Sequence, residues 1–379
     1  MKFSVSSKEL LRALTTVSKV IIKRNTLPIL DNALVSFRDD RFFLTGSSSE
    51  NTLTLPIDLR NMDKAPFRPF CFPVAVLSPI LATLPDQPVE ITIDDTTFLA
   101  TFRYQGGDFS VPAYDGKDYP VIAEREDTNV EFALPMSVFL PAVKSASVCT
   151  ADDELRPVFA SVALDVSNEG VTFVGTSGQL LYKYVYAHGV PFVTRGEPRL
   201  ILLHRKAIPA IEAAFAGAET VSVRHDGQKL ILSADGITFF ATDVIGRYPN
   251  YNSVLPAQSP YHIVMPVRDL SNAVKRVSLM SNSSTQMISI RKHDGQVALC
   301  AEDIDFSRRA NEQLPSEDCT LPDGFAIGLR ASHLQTVLSA VSTDNVRLEL
   351  TAPERAMIIR EDSANSTLVE LLMPMKLDV

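Results

Sequence analysis

The stretch Phe3–Val17, FSVSSKELLRALTTV, decides the fold because its pattern occurs three times in the chain. It returns 129 residues later (132 minus 3) as Phe132–Ala146, FALPMSVFLPAVKSA, and at an offset of 260 (263 minus 3) as Ile263–Val277, IVMPVRDLSNAVKRV. Each copy opens with apolar residues two apart, the spacing of one face of a β-strand. Apolar residues at steps of four and three follow, the spacing of one face of an α-helix. Three copies at near-equal intervals predict three repeats of one domain.

The interval between the copies is the size of an ordinary domain, and 379 residues is long for a single core. We predict domains over residues 1–127, 128–258 and 259–379, joined by the linkers Glu124–Asn129 and Ala257–Tyr261. Both linkers are polar or contain proline. Each domain shows two strand–helix units, each followed by further strands. This order predicts an α+β fold in which two helices per domain cover antiparallel sheets.

The overall composition is that of a soluble globular protein, with 45% hydrophobic and 21% charged residues. No apolar run reaches the length of a membrane span, and the N-terminus lacks the apolar core of a signal peptide. The four cysteines, Cys71, Cys149, Cys300 and Cys319, show no C-x-x-C spacing. We therefore predict a reduced, cytoplasmic protein with no metal framework and no membrane partner.

The chain carries a net charge of −9, which taken alone argues against nucleic-acid binding. The distribution of charge points the other way, because residues 1–24 hold six Lys and Arg against one acidic residue, Glu9. Basic residues recur on the repeated helices. Lys8, Arg12 and Lys19 follow a helical spacing in the first copy, and Lys275 and Arg276 lie on the third.

Each basic group alone is typical of a solvated helix face. Together, on equivalent helices of an acidic chain, they indicate a surface that faces a polyanion. The candidate polyanion-binding residues are Lys8, Arg12, Lys19, Arg24, Arg205, Lys206, Lys275 and Arg276.

No catalytic motif is present: the chain lacks a phosphate-binding P-loop, a G-x-G-x-x-G turn, H-E-x-x-H and G-x-S-x-G. The six histidines have no ligand spacing. We therefore predict no catalytic residues, no cofactor and no resident metal. Glu302, Asp303 and Asp305 are close enough in sequence to hold a divalent cation, although a solvated turn between strands is the favoured interpretation.

Several short motifs follow one another in a fixed order. They are Thr26–Leu30 (TLPIL), Thr176–Gly178 (TSG), Gly246–Pro249 (GRYP), Val254–Pro256 (VLP) and the ending Met373–Leu377 (MPMKL). Each is weak alone. Their order, combined with the threefold repeat, resembles the bacterial replicative sliding clamp, the beta subunit of DNA polymerase III, from Met1 to Leu377.

The resemblance implies that the chain is half of a closed ring: a homodimer with six clamp domains, helices lining the hole and sheets outside. Double-stranded DNA would pass through the hole without sequence specificity. The replicative polymerase alpha subunit, the clamp-loader delta subunit, and other polymerases and repair proteins would dock short peptides in a hydrophobic cleft. The clamp itself would have no enzymatic activity.

The resemblance also assigns residues to the remaining sites. The dimer interface would hold Phe109 at the end of domain one and Leu279 and Met280 after the third repeated helix. This chain departs from the family pattern at two cleft positions: it has Leu180 and Ser253 where family members carry basic residues. The cleft would be formed by Phe159, Thr176, Gly178, Leu180, Leu181, Pro249, Ser253, Val254, Leu372, Met373, Pro374, Met375 and Leu377.

Two alternatives remain open from the residues. The repeated domains are also compatible with a peptide-binding scaffold that does not bind DNA, with the basic helices merely solvated. The apolar tail is also compatible with a last strand packed in the core of domain three. A hydrolase is not favoured, because no nucleophile–base set is present.

Overall fold

The computed structural model of the chain describes residues 1–22, 25, 27–62, 66–120, 130–187, 195–197 and 199–377. These residues form two compact units. Unit 1 comprises residues 1–140, 193–197 and 206–243, and unit 2 comprises residues 141–192, 198–205 and 244–379, as far as they are described. The linker predicted at Glu124–Asn129 lies outside the described residues.

Six α-helices occur in the described residues, and each follows a strand, with only a 3₁₀ turn at Arg205–Ala207 intervening before the fourth. They are α1 (Ser7–Val17), α2 (Val74–Ala82), α3 (Met136–Val148), α4 (Ile208–Phe215), α5 (Val267–Ser278) and α6 (Ala331–Leu338). The predicted alternation of strand–helix units with antiparallel strands is therefore confirmed. None of the described helices is long and apolar enough to span a membrane.

The strands are numbered along the chain. The first fourteen are β1 (Lys2–Ser6), β2 (Asn32–Arg38), β3 (Arg41–Ser47), β4 (Asn51–Ile57), β5 (Phe70–Pro73), β6 (Pro88–Ile93), β7 (Leu99–Tyr104), β8 (Gly107–Pro112), β9 (Tyr114–Asp115), β10 (Val130–Pro135), β11 (Ser161–Val166), β12 (Gly170–Thr176), β13 (Leu180–Ala187) and β14 (Arg195–Gly196). The others are β15 (Leu200–His204), β16 (Thr220–His225), β17 (Lys229–Ala234), β18 (Ile237–Thr242), β19 (Tyr261–Pro266), β20 (Met287–His293), β21 (Gln296–Asp303), β22 (Arg308–Leu314), β23 (Asp318–Cys319), β24 (Ala326–Arg330), β25 (Asn345–Leu350), β26 (Met357–Glu361) and β27 (Val369–Leu372).

Unit 1 contains two antiparallel sheets. One has the order β1-β6-β7-β8, and the other has the order β14-β10-β16-β17-β18-β4-β3-β2-β5-β9. In the larger sheet β4 pairs with β18, and Leu53 lies opposite Phe239. These strands belong to the first and second predicted domains, so backbone hydrogen bonds continue one sheet from one domain into the next.

Unit 2 repeats this arrangement. Its larger sheet has the order β15-β11-β12-β13-β27-β26-β25-β19-β23, and its smaller sheet has the order β22-β21-β20-β24. Here β13 pairs with β27, and Tyr182 lies opposite Glu370. The second and third predicted domains are thus joined by the same kind of strand pairing.

The first helix shows why the repeated stretch folds as it does. The Ser6 hydroxyl accepts a hydrogen bond from the Glu9 backbone N–H at 3.3 Å, which satisfies one of the free donors of the first turn. Leu10, Leu14 and Val17 are buried on one side of α1. Burying each such side chain is worth about 1.5–3 kcal/mol, so the amphipathic face fixes the helix on its sheet.

Two glycines mark the repeat in three dimensions. A Cβ atom on Gly46 would lie 2.7 Å from the carbonyl oxygen of Val17, and one on Gly175 would lie 1.9 Å from that of Ala146. The glycines are 129 residues apart (175 minus 46), and so are their helix partners (146 minus 17). At both positions a helix end approaches the sheet so closely that only glycine fits.

The sequence pattern missed three strands of two residues each, β9, β14 and β23. Two residues are too few to show an alternation of apolar and polar side chains, so periodicity gives no signal for them. Each adds a ladder of two residue pairs to a longer strand: β9 to β5, β14 to β10 and β23 to β19.

Candidate functional site: basic helices and an apolar cleft

Lys8 and Arg12 lie on the exposed side of α1, opposite its buried face. Neither forms an ion pair with another described residue. Lys19 lies outside the helix, which corrects the predicted helical stripe, because α1 ends at Val17. The Ser18 backbone N–H still donates to the Leu14 carbonyl, but the Lys19 N–H donates to the Thr16 carbonyl, and this tighter bond to the third residue before it ends the α-helix. Arg24 lies outside the described residues.

The later basic residues differ in their partners. The guanidinium of Arg205 lies 3.9 Å from a carboxylate oxygen of Asp152, and Lys206 is exposed at the start of the turn that precedes α4. On α5, Lys275 is exposed and forms no ion pair within the described part of the chain. Arg276 is different, because its guanidinium binds the Glu312 carboxylate.

The pair Arg276–Glu312 changes the charge that α5 presents. The hydrogen bond from Arg276 and its positive charge lower the pKa of Glu312. The same hydrogen bond and the negative charge of Glu312 raise the pKa of Arg276. Both groups therefore stay ionised over a wide pH range and neutralise each other. Lys275 contributes a full positive charge on this helix, while Arg276 contributes little.

An apolar cluster in unit 2 forms the floor of the candidate cleft. It lies on one face of the sheet where β13 meets β27, and Val158, Tyr251 and Leu255 pack against its border. Its buried members are Ala163, Val174, Leu181, Leu202, Tyr248, Ile358, Val369 and Leu371.

The predicted cleft residues divide between this face and the opposite one. Leu181 belongs to the cluster, whereas Leu180 and Leu372 are buried and alternate with its members, so they point to the other side of the sheet. On β27 the residues of the apolar cluster are Val369 and Leu371, and not Leu372 as the resemblance implied. Strand alternation from Leu181 is the signal that finds them, once the pairing of β13 with β27 is known.

The turn before β13 is built by residues that the sequence singled out. The Thr176 hydroxyl donates to the Leu180 carbonyl at 2.7 Å and accepts from the Gly178 backbone N–H at 3.1 Å. Gly178 has φ +85°, a conformation that favours glycine. Nearby residues of the cleft also have defined neighbours: the guanidinium of Arg156 lies 5.1 Å from the centre of the Phe159 ring.

The tail leaves the sheet at Leu372 and is held by backbone bonds. The Met373 N–H donates to the Gln179 carbonyl, and the Met375 N–H donates to the Gly328 carbonyl at 2.8 Å. The Met373 side chain is 43% exposed, whereas Pro374, Met375 and Leu377 are half-buried. β27 is thus a core strand, as the alternative interpretation of the tail predicted, and the residues after it are accessible, so the docking cleft stays a prediction.

Three further predicted residues lie in the segment before Leu255. Pro249 is half-buried, and Val254 and Ser253 are exposed. The Ser253 hydroxyl donates to the Asn250 carbonyl at 2.7 Å, which closes a short 3₁₀ turn over Tyr251–Val254.

The residues assigned to a dimer interface lie at strand and helix ends. Phe109 in β8 is half-buried and stacks on Phe102, with ring centres 4.8 Å apart. Leu279 and Met280, directly after α5, are 71% and 39% exposed.

The sequence did not single out two further apolar residues near Leu279 and Met280. Ile304 and Phe306, in the turn between β21 and β22, are 85% and 66% exposed. A hydrogen bond of 3.5 Å between Asn282 and Asp305 connects the two segments.

The acidic residues Glu302, Asp303 and Asp305 do not form a metal site. Among the described residues, no three His, Cys, Asp or Glu side chains gather in a way that would hold a metal ion. Strand alternation separates Glu302, which is exposed, from Asp303, which is buried. Only Asp305 lies in the turn between β21 and β22, so the favoured interpretation, a solvated turn, holds for Asp305 and is wrong for Glu302 and Asp303, which belong to β21.

Two family models match the chain. The N-terminal domain of the DNA polymerase III beta subunit matches residues 1–123, and the C-terminal domain of the same subunit matches residues 252–376. The beta sliding clamp of Pseudomonas putida is 25% identical over 382 residues, and that of Escherichia coli K12 is 25% identical over 381 residues. Both comparisons cover 100% of this chain and of the relative.

Solved structures share the fold over the whole chain. A DnaN sliding clamp from Pseudomonas aeruginosa bound to griselimycin has a TM-score of 0.89 at 22% identity and covers 100% of both chains. The DNA polymerase III beta chain of Streptococcus pneumoniae has a TM-score of 0.90 at 17% identity and covers 99% of this chain and 100% of that one. The fold is therefore kept although most side chains differ.

Proposed function

The chain belongs to the DNA polymerase III beta subunit family and is a DNA sliding clamp, and we propose that two copies join head to tail in a ring around duplex DNA. A sliding clamp is a processivity factor and not an enzyme, and it acts in the cell interior, where we place it in the cytoplasm. Each copy would supply three clamp domains, residues 1–127, 128–258 and 259–379.

Two unpaired strand edges carry the proposal. The outer strands of the small sheets are β1 and β8 in unit 1, and β22 and β24 in unit 2. The edge of β1 is partly occupied, because Ser4 forms an isolated β-bridge with Arg60. The edge of β24 is occupied in the same way by a bridge between Gly328 and Met375. Among the described residues β8 and β22 have no strand beyond them, and an exposed edge of this kind is a template for pairing with another chain.

The internal joins show what such a pairing would look like. The chain already connects successive predicted domains by pairing β4 with β18 and β13 with β27. Pairing β8 of one copy with β22 of the next would make a third join of the same type. The two edges are unlike, so the contact is heterologous, and with a suitable rotation two copies close a ring.

The apolar residues beside these edges fit the same contact. Leu279, Met280, Ile304 and Phe306 are exposed together near one end of β22. Exposed apolar patches of this kind mark interaction surfaces.

Basic side chains on α1 and α5 support the contact with DNA. Lys8, Arg12 and Lys275 are exposed and form no ion pairs with described residues, so their charges are available to phosphates. Contacts to phosphates carry no sequence information, so binding would be indifferent to sequence. Most acidic residues lie outside these two helices, where Glu9 and Asp269 are the acidic residues present.

The apolar cleft supports peptide docking. We propose that the replicative polymerase alpha subunit, the clamp-loader delta subunit, and other polymerases and repair proteins insert extended peptides there, with large apolar side chains on the cluster that contains Leu181 and Tyr248. A scaffold that binds peptides without DNA is not favoured, because the family is a DNA clamp.

Retention on DNA tests the ring. After loading by a compatible clamp loader, the labelled protein should stay on nicked circular DNA in high salt, because escape needs the ring to open. On linear DNA of the same length and sequence it should be lost, because the ring slides off the ends. Gel filtration with counting of label measures both. Equal loss from circular and linear templates would contradict encirclement.

A further inference from the structure

Lys183 is placed at the border of the peptide cleft. It lies in β13 two residues after Leu181, so both side chains are on the cleft face of the strand. Its partner across the ladder is Val369, another member of the apolar cluster. Lys183 is half-buried, and its ammonium group lies at the exposed border of the apolar floor.

Neutral groups hold this ammonium in place. The Nζ atom donates to the side-chain oxygen of Asn252 at 2.8 Å and lies 5.5 Å from the centre of the Tyr251 ring. The Tyr251 hydroxyl in turn donates to the Asp165 carboxylate at 2.6 Å. An amide oxygen and an aromatic face attract a cation without cancelling its charge, so these two groups position the ammonium and do not neutralise it.

The charge balance around Lys183 is incomplete. Within the described part of the chain Lys183 forms no ion pair, and the nearby Asp165 carboxylate is engaged by the Tyr251 hydroxyl. Arg247, next to Tyr248 of the cluster, is also exposed and has no ion pair with a described residue. Lys183 and Arg247 therefore place two cations on the border of the cleft, and neither is ion-paired with Asp165 or with any other described carboxylate.

We propose that Lys183 selects docking peptides that carry an aspartate or glutamate side chain beside their apolar anchors. The proposal rests on the proposed peptide cleft and names the chemistry of its ligand. A carboxylate would bind the ammonium through a charge-assisted hydrogen bond while the apolar side chains fill the floor. Asn252 and Tyr251 keep Lys183 oriented before the peptide arrives, so little side-chain entropy is lost on binding.

Synthetic peptides test this specificity. Each is acetylated and amidated, has one glutamine and two large apolar residues, and carries either Glu or Gln at one of the other positions in turn. The side chain of Glu is then the peptide's sole carboxylate. By fluorescence anisotropy with the full-length protein, at least one Glu peptide should bind about threefold to tenfold more tightly than its Gln twin.

Variants assign the preference to Lys183. Lys183→Met should bind the Glu and Gln peptides equally, and Lys183→Arg should keep the preference for Glu. Lys229→Met removes a half-buried strand lysine from unit 1 and should leave the preference unchanged. Circular dichroism of each variant confirms that it is folded.

The outcomes separate the two proposals. If the wild-type protein binds none of the peptides, the cleft itself is wrong. If it binds Glu and Gln peptides equally, or if Lys183→Met keeps the preference, the cleft stands and the role of Lys183 is overturned.

Discussion

Glu370 is a buried carboxyl at a position where the repeat has a core aromatic residue. In unit 1, Leu53 of β4 lies opposite Phe239, and both are fully buried. The residue 129 positions after Leu53 is Tyr182, and in unit 2 it lies opposite Glu370, which is 0% exposed. Neither carboxyl oxygen of Glu370 has a hydrogen-bond partner within the described residues. Burial, followed by the negative charge of Glu361, raises the pKa of Glu370 well above its usual value.

The raised pKa sets the sign of a pH dependence. A carboxyl whose pKa is higher in the folded protein than in the unfolded chain binds protons more tightly when folded, so it lowers stability as pH rises above the unfolded pKa of about 4.3. The loss continues, with a slope of at most about 1.4 kcal/mol per pH unit, until the folded pKa is passed. Glu370→Gln removes this titration.

Urea unfolding of the wild type and of Glu370→Gln between pH 4 and pH 9 measures how the free energy of unfolding depends on pH. The variant should match the wild type near pH 4 and exceed it increasingly toward neutral pH. Glu370→Leu, which also removes the polar atoms, should behave in the same way. A wild-type advantage that grows with pH would contradict a neutral buried Glu370.

At the residue scale, the sequence showed which side chains carry charge but not how those charges are matched. Lys8 and Lys275 are available, whereas Arg276 is neutralised by Glu312. That pair joins residues 36 positions apart on a helix and a strand. No local spacing predicts such a contact, because it depends on how α5 lies over its sheet.

Helices and most strands follow directly from the sequence at the scale of elements. Apolar alternation and helical spacing place them within a few residues, because each element buries one face. The joins between β4 and β18 and between β13 and β27 were not predictable from periodicity. Alternation identifies the buried face of a strand but does not identify its neighbour, so the members of the cleft floor could be found only from the pairing.

The segment after α5 provides a prediction at this scale. Leu279 and Met280 stay exposed in the single chain, and their burial at an interface would contribute roughly 1.5–3 kcal/mol each. In the double variant Leu279→Ala, Met280→Ala we expect the dimer to dissociate at concentrations where the wild type remains dimeric. Multi-angle light scattering over a dilution series measures the change.

The control for this prediction is Leu155→Ala, which truncates an exposed leucine of unit 2 outside that segment. It should leave the dimer intact, and circular dichroism should show that all three proteins are folded, because none of the changed side chains is buried in the single chain. A wild-type monomer at micromolar concentration, or an unaffected double variant, would count against this interface.

The whole molecule carries a net charge of −9 and still binds a polyanion, which the total charge alone would not predict. The sequence predicts how both can hold, because its basic residues recur on the repeated helices while most of its acidic residues lie elsewhere. The folded chain keeps the distinction for Lys8 and Arg12 on α1 and for Lys275 on α5, all of which are exposed. A clamp that holds DNA by enclosure needs a weak local attraction and not a high total charge.

Direct binding and retention should therefore respond differently to the loss of these cations. Each phosphate contact releases counterion, so log affinity falls with log salt concentration, and losing one contact reduces that slope by about one. In the triple variant Lys8→Ala, Arg12→Ala, Lys275→Ala we expect weaker, less salt-dependent binding to a short linear duplex, measured by anisotropy from low to moderate salt. Once loaded on nicked circles, the variant should be retained as well as the wild type, because enclosure does not depend on these charges.

A matched triple variant, Arg41→Ala, Lys229→Ala, Lys292→Ala, removes the same charge from strands and should change neither quantity appreciably. If both triples weakened duplex binding equally, the effect would come from net charge and not from the helices. If the helix variant instead left the circles as fast as it left the linear duplex, the same charges would hold the DNA in both cases, and retention would be electrostatic rather than topological.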